Sequence, residues 1–478
     1  MDGFAGYYGL TNLHPLALAF VFLLGAAVLI LPRRFALLPL FIAATSAPMA
    51  QRFVVAGADF TLLRLLLLAY LLRLLMRSDG DGFVWNRLDT AVVLWTLVGT
   101  TVFVIHHATG AALINRAGWS YDILLTYFAA RLLIRDFSDV LTLARGVAVI
   151  SIPVAILFLI ERSTAYNLFS VFGGVPAITA VREGLLRCQG PFAHPILAGT
   201  FWASTLPLIW MLWREGGSDR TLTLVGSAGA LFIVFACASS TPILTVVAVF
   251  AGLGLFLLRD LRVLMWSGTF ATLFILHFFL MNKPVWHLIA RVDLIGGSTG
   301  WHRYWIFETF VRNFSEWRMT GHSNPVEWGV WQMRDITNQY VLEGLRGGIW
   351  TLSVFVLVLA LAFANIGKAL GPPQPVPSTP GYLLRQWKLW LIGVAIFAHT
   401  VSFFGVSYFG QMITIFYLQL GLAGCVFALT GERTEPVPAP GNRPLQPDRS
   451  PDYVPAPSGR EVLGRDLRPT GFGAVHRS

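Results

Sequence analysis

Apolar runs broken by short polar connections recur along the whole chain. About thirteen can be traced, near residues 15–31, 35–48, 59–76, 88–106, 119–134, 139–160, 194–213, 222–238, 242–258, 263–281, 347–367, 387–406 and 409–430. Most approach the ~20 apolar residues that a helix needs to span ~30 Å of hydrocarbon. The short alternating segments of a membrane β-barrel are missing. The pattern therefore predicts an all-α polytopic membrane protein with about 12–13 transmembrane helices. The second run is short, and a tilted or re-entrant segment is expected there. The third, FTLLRLLLLAYLLRLLMR (Phe60–Arg77), carries Arg64 and Arg73 near its ends, where long side chains can snorkel to the interface and act as anchors.

Composition agrees. Of 478 residues, 55% are hydrophobic and 13% charged, against about 25% charged in soluble domains; mean hydropathy is +0.64. The net charge of +10 points to no nucleic-acid partner, because the basic residues sit mostly in short connections, where they set orientation in the bilayer. Alternate connections hold Arg33/Arg34, Arg77/Arg87, Arg135, Arg214/Arg220, Arg259/Arg262 and Lys368/Arg385/Lys388, and these are expected to be cytoplasmic. Two long loops, about 162–193 and 282–346, then face outward. Residues 1–431 form one transmembrane unit. The Pro-rich stretch Leu370–Gly381 reads as a cytoplasmic linker, and residues 432–478, too poor in apolar residues to build a core, as a disordered cytoplasmic tail. The N-terminus lacks the basic region of a cleaved signal peptide, so the first run should persist as a span. Three cysteines, Cys188, Cys237 and Cys425, form neither a disulfide framework nor a metal-ligand spacing.

Candidate chemistry concentrates outside the spans. Within them the notable polar residues are Asp122, near a helix start, His277, His399 and Gln411, too few for the intramembrane carboxylates of an ion-coupled transporter. The first outward loop holds Arg162, Arg182, Glu183, Arg187 and His194. The second holds Lys283, Arg291, Arg303, Arg312, Arg318, Arg334 and Arg346, with His287, His302 and His322, nearly balanced by Asp293, Glu308, Glu316, Glu327, Asp335 and Glu343. Arginine outnumbers lysine, and its planar fork suits bidentate binding of phosphate oxygens. Single arginines of this kind often pair only with neighbouring acids. Two loops on one face that both offer arginine at a membrane lip make phosphate binding the sharper expectation.

Several short segments resemble the O-antigen ligase/polymerase family of bacterial membrane glycosyltransferases. Arg187-Cys-Gln-Gly-Pro-Phe-Ala-His-Pro is similar to that family's Arg, Gly, aromatic and His-Pro pattern at the start of a span. Gly300-Trp-His-Arg-Tyr-Trp is similar to its arginine-plus-tryptophan segment, and Thr320-Gly-His-Ser to its Gly-x-Gly turn, with Ser323 in place of the second glycine. Asp335-Ile-Thr-Asn-Gln-Tyr-Val, followed by Gly344 and Gly347-Gly348, resembles its His-Asn-x-Tyr-Leu segment. The resemblance covers roughly residues 30–430. It implies a multi-pass protein of the bacterial inner membrane that transfers a glycan from undecaprenyl diphosphate to an acceptor hydroxyl at the periplasmic face. The acceptor would be a glycan or a lipid, and other polysaccharide-assembly proteins are possible partners.

Negative charge develops on the diphosphate leaving group as the glycosidic bond breaks, and fixed guanidinium groups can stabilise it. The resemblance points to Arg187 and Arg303 for that role, with Arg182, His194, His302, Asn338 and Tyr340 binding substrate. The two outward loops hold no Asp-x-Asp or acidic cluster for Mg²⁺, so neither a metal nor a cofactor is expected. The chain departs from the family at Thr337, where a histidine is usual, and threonine is no general base at neutral pH. His322 is expected to take that place, with His302, His194 and Glu308 as further candidates. Two other readings stand beside this one: a transporter or flippase for a lipid-linked glycan, which should line the membrane interior with charge, and a catalytically silent assembly protein, which Thr337 would favour.

Overall fold

The computed structural model describes residues 11–55, 57–291, 299–371 and 380–431. The expectations for Asp293, for most of the Leu370–Gly381 linker, for the first ten residues and for the tail lie outside them. The protein is an all-α polytopic membrane protein. Its helices are α1 (Pro15–Ile30), α2 (Leu38–Ser46), α3 (Leu62–Met76), α4 (Arg87–His107), α5 (Gly110–Leu133), α6 (Phe137–Thr164), α7 (Pro195–Trp210), α8 (Gly217–Ala236), α9 (Ser240–Gly254), α10 (Arg262–Ile275), α11 (Thr299–Arg312), the single turn α12 (Phe314–Trp317), α13 (Gln339–Leu370), α14 (Pro380–Ser402) and α15 (Gln411–Thr430). Among the described residues, strands form two antiparallel hairpins, β1–β2 (Arg52–Val55, Ala58–Thr61) and β3–β4 (Ala180–Arg182, Leu185–Arg187).

Each of the thirteen apolar runs contains a helix, and among the described residues seven helical stretches are long and apolar enough to cross a membrane. One of them, Ser240–Leu280, spans two predicted runs. It reverses at the 3-10 segment Leu255–Leu261: Thr241 at its start bonds the carbonyl of Gly405, whereas Arg262 bonds those of Gly367 and Gly371. The short second run crosses without a full-length helix. Arg33 is held by Leu133 and Asp139, and Gln51 by the carbonyl of Phe172, so α2 and the irregular residues around it connect opposite ends of the bundle. Helices α7 and α15 form its centre: 83% of the apolar stretch of each is buried inside the protein, against 39–44% for the other five. The hydroxyl side chains of α7 are satisfied locally. Thr200, Ser204 and Thr205 each bond a carbonyl three or four residues back, at 2.7–2.8 Å.

One end of the bundle is pinned by arginines and carboxylates from the short basic connections. Asp89 closes the capping box of α4 and receives Arg131 in two bonds, at 2.7 and 2.8 Å, and the Tyr127 hydroxyl at 2.7 Å. Asp139 caps α6 and pairs with Arg33. The anchoring expected of Arg64 and Arg73 is corrected here, because distant parts of the chain bring them internal partners. Arg73 is buried against Asp79 (2.6 Å) and the carbonyls of Val28 and Leu31, and Arg64 grips Asp122 through two nitrogens. Asp89→Ala strands the buried Arg131 guanidinium, and breaking such a pair from one side costs about 3–5 kcal/mol. The variant is expected to melt well below the wild-type protein in detergent. An unchanged melting temperature would contradict this role.

Candidate functional site

The opposite end gathers the loops. Asn12 pairs with Arg52, the Gln411 amide donates to the carbonyls of Ala47 and Pro191, and the Gln339 N–H donates to the carbonyl of Phe403. The long first loop is organised by Glu161 at the end of α6. Its buried carboxylate accepts the N–H groups of Gln189 (3.0 Å) and Gly190 (2.9 Å) and the Thr179 hydroxyl. Gly190 has φ +54°, and a Cβ there would lie 2.5 Å from the Phe158 ring, so this turn accepts only glycine. The clasped turn fixes what flanks it. On one side, the β3–β4 register pairs Ala180 with Arg187 and Arg182 with Leu185, which by the period of two puts Arg182 and Arg187 on one face. On the other, His194 caps α7, its Nδ1 accepting the Ile196 N–H at 3.2 Å, with Pro195 at the first helical position.

The second loop meets this ledge through α11 and the segment before α13. Arg303, 6% exposed, donates to Thr241 Oγ1 at 2.7 Å, and Thr241 in turn donates to the carbonyl of Gly405. His302 Nε2 lies 3.2 Å from the backbone carbonyl of Asp335. A carbonyl only accepts, so this bond places the proton on Nε2 and leaves a lone pair on Nδ1. A break in α13 also positions the loop. Gly348 adopts φ +65° with the carbonyl of Met319 where a Cβ would be, while Ile349 N–H reaches the carbonyl of Arg318 and His322 N–H that of Leu345. The glycines of the Thr320-Gly-His-Ser and Gly347-Gly348 segments thus serve close contact between loop and helix.

Between these walls lies a cavity of about 520 Å³. It brings together Arg182, Arg187, His194, His302 and Arg303, five of the eight expected site residues, from both loops. Its walls carry four arginines against a single aspartate, Asp335. Three of its polar atoms are buried without a hydrogen-bond partner: Arg187 Nε, Asp335 Oδ1 and Thr337 Oγ1. Buried polar atoms are nearly always satisfied, and these three are open to a ligand in the cavity. Burial and, after it, the Arg182 charge lower the Arg187 pKa. The His194 imidazole is pushed down to about 4 by burial and by the Arg187 and Arg182 charges. It is neutral at physiological pH, and because its Nδ1 accepts from Ile196, its Nε2 carries the proton and can only donate.

Three expected site residues stand elsewhere. His322 lies apart from the cavity, its Nε2 against the carbonyl of Asn324 and its ring stacked on Trp328 at 4.8 Å. Asn338 is fully buried and caps α13 through Val341 N–H, and the Tyr340 hydroxyl donates to the carbonyl of Thr400. Both hold the start of α13 in place rather than line the cavity. Glu308 is occupied by Trp286 (2.7 Å) and Arg312 (2.6 Å). From the sequence, Asp335 stands among the acids balancing arginines and opens the segment that resembles the His-Asn-x-Tyr-Leu motif, without a role of its own. Its place two residues before Thr337 was the available signal. Trp301 and Trp331, 45% and 67% exposed, also line the cavity and were missed, because loop tryptophans carry no periodic pattern. Among the described residues no three His, Cys, Asp or Glu side chains converge as a metal-ligand set. No family model matches the chain, and no curated protein matches it.

Proposed function

We propose that the protein is a glycosyltransferase of the O-antigen ligase/polymerase type, moving a glycan from undecaprenyl diphosphate to an acceptor hydroxyl at the outer face of the bacterial inner membrane. The observation that carries this reading is the cavity that joins arginines of both loops around polar atoms left without partners. Positive charge at the membrane lip suits a lipid diphosphate, and the exposed rings of Trp301 and Trp331 offer faces on which sugar rings can stack.

In this reading the acceptor oxygen forms a bond to the anomeric carbon of the donor sugar while the bond from that carbon to the diphosphate oxygen breaks. The diphosphate leaves with the electron pair, and the guanidinium groups of Arg187 and Arg303 take up its growing charge. The hydroxyl proton passes to Asp335, whose Oδ1, buried without a partner, supplies the basicity that the Thr337 hydroxyl lacks. His302 positions Asp335 by holding its backbone, and His194 donates from Nε2. Charge concentrated in the loops at one end of the bundle, with Arg33, Arg73 and Arg131 at the other end paired to carboxylates, favours transfer over transport through the membrane interior.

Cells lacking the protein should accumulate unextended polyprenyl-diphosphate-linked glycan at the outer membrane face and lose the mature polysaccharide, and the wild-type gene should restore it. Accumulation on the cytoplasmic face instead would favour a flippase and contradict this proposal. His322→Ala should leave polysaccharide output near the wild-type level, measured as polymer per cell.

A further inference from the structure

Two of the three cysteines meet at the loop-rich end, and the transfer step proposed above uses neither. Cys188 follows Arg187 at the end of β4, and Cys237 caps the C-terminus of α8. The Cys188 N–H donates to the carbonyl of Ala236 at 3.0 Å. Ala236 directly precedes Cys237, so covalent geometry holds the two cysteine Cα atoms within about 7 Å of each other. Disulfides span Cα separations of about 4.4–6.8 Å. Both side chains are fully buried, and both are thiols in this structure. After burial itself, the Cys188 thiol is the strongest influence on the Cys237 thiol, which sets the two side chains next to each other. Sequence spacing carries no sign of this pairing, because the fold alone brings β4 to the end of α8. The third cysteine is at the opposite end of the bundle, where Cys425 Sγ meets the carbonyls of Ala130 and Arg131 at 3.8 and 3.9 Å.

This division follows the redox compartments, since disulfides persist outside the bacterial cytoplasm and are rare within it. Cys188 and Cys237 lie at the end that the basic connections turn outward, and Cys425 at the cytoplasmic end. We propose that Cys188 and Cys237 form a disulfide that ties the turn clasped by Glu161 to the outer end of α8. The inference rests on the outward placement of the loops in a bacterial inner membrane and not on glycan transfer. The bond forms by exchange with a protein oxidant of the outer compartment that carries a reactive disulfide. One cysteine thiolate attacks that disulfide, giving a mixed disulfide and freeing one oxidant sulfur. The second cysteine thiolate then attacks the first cysteine's sulfur and frees the other. Two electrons pass to the oxidant, which takes up the two thiol protons and leaves as a dithiol. The thiolate is the attacking species, and in the folded protein burial and Glu161 push the Cys188 thiol up to about 12. Exchange therefore precedes closure of the Glu161 clasp. Arg187 directly precedes one sulfur, Ser239 lies two residues after the other, and both line the arginine-walled cavity. Between Cys237 and Ser239, Ala238 holds φ +42°, a conformation that a non-glycine residue keeps only where its surroundings fix it.

The test is thiol counting on full-length wild-type protein taken from bacterial membranes and denatured in N-ethylmaleimide, with and without prior reduction. Peptide mass spectrometry should find only Cys425 alkylated without reductant and all three cysteines alkylated after it. A peptide pair joined through Cys188 and Cys237 should be present in the unreduced sample alone. Cys188→Ser and Cys237→Ser should each expose the remaining partner to alkylation and lower the melting temperature in detergent by about 5 °C. Cys425→Ser should keep the linked pair. The wild-type count needs no variant, so it decides the matter even where a serine variant fails to fold. Alkylation of all three cysteines without reductant would overturn the proposal, as would a linked pair that includes Cys425 or joins two chains. Glycan transfer is read separately. A linked pair in a protein without transfer activity sustains the disulfide and counts against the function proposed above, and transfer by a protein with three free thiols does the reverse.

Discussion

Alanine at Arg187 or Arg303 is expected to lower glycan transfer by about 10²–10³-fold, the usual cost of removing a fixed group that meets charge developing in a transition state. Arg187 is the cleaner case. Its Nε is buried without a partner, so its removal breaks no bond that the fold depends on, and membrane protein levels should hold. Arg187→Lys should also fail to restore activity, because lysine keeps the charge and loses the fork. Arg303 is different. The sequence suggested an arginine at the aqueous lip, but it is buried and ties α11 to the start of α9 through Thr241. Arg303→Ala should therefore reduce both turnover and melting temperature, and Arg303→Lys should recover part of the second without the first. Turnover is read as product formed per unit of folded protein. Wild-type turnover in an Arg187→Ala/Arg303→Ala double variant would remove both from the mechanism.

Asp335→Asn is expected to lower turnover by about 10²–10⁴-fold, the range of general-base assistance, while donor binding stays close to wild type. Asparagine keeps the shape and the backbone carbonyl that His302 holds, so folding should be unaffected. The substitution removes only the basic lone pair. His302→Ala should have a smaller effect, through positioning, and Asp335→Glu should recover part of the rate where a relaxed backbone would not. Thr337→His places an imidazole on the same wall and should partly restore turnover to Asp335→Asn. Equal turnover of Asp335→Asn and wild type would return the base to His302, whose Nδ1 is free.

The fold was legible because the bilayer forces it: unsatisfied backbone is intolerable in hydrocarbon, so apolar runs become helices. The runs do not reveal pairing. Asp122 is 58 residues from Arg64 and Asp139 is 106 from Arg33, and no local signal links them. The snorkelling expected of Arg64 failed for that reason, whereas Arg73 turns inward to Asp79, six residues on, and to the carbonyls of Val28 and Leu31. At the site, residue type and loop position offered arginines and histidines in both outward loops, and the family resemblance singled out Arg187, Arg303 and His302 among them. Their convergence depends on Glu161 clasping a turn 28–29 residues away, which no spacing announces. His322 and Asp335 show the limit. Both are titratable residues in one loop, and only tertiary placement separates the histidine stacked on Trp328 from the aspartate with an open oxygen.

The most direct test of the account is reconstitution of the purified wild-type protein in liposomes with a synthetic polyprenyl-diphosphate-linked oligosaccharide as substrate and no other protein. The account predicts two products in equal amounts: free polyprenyl diphosphate, and a glycan lengthened by one donor unit on an acceptor hydroxyl. Both should depend on Arg187 and Asp335. Recovery of the substrate unchanged on the opposite leaflet, with no polyprenyl diphosphate released, would contradict transfer and establish the protein as a carrier of the lipid-linked glycan instead.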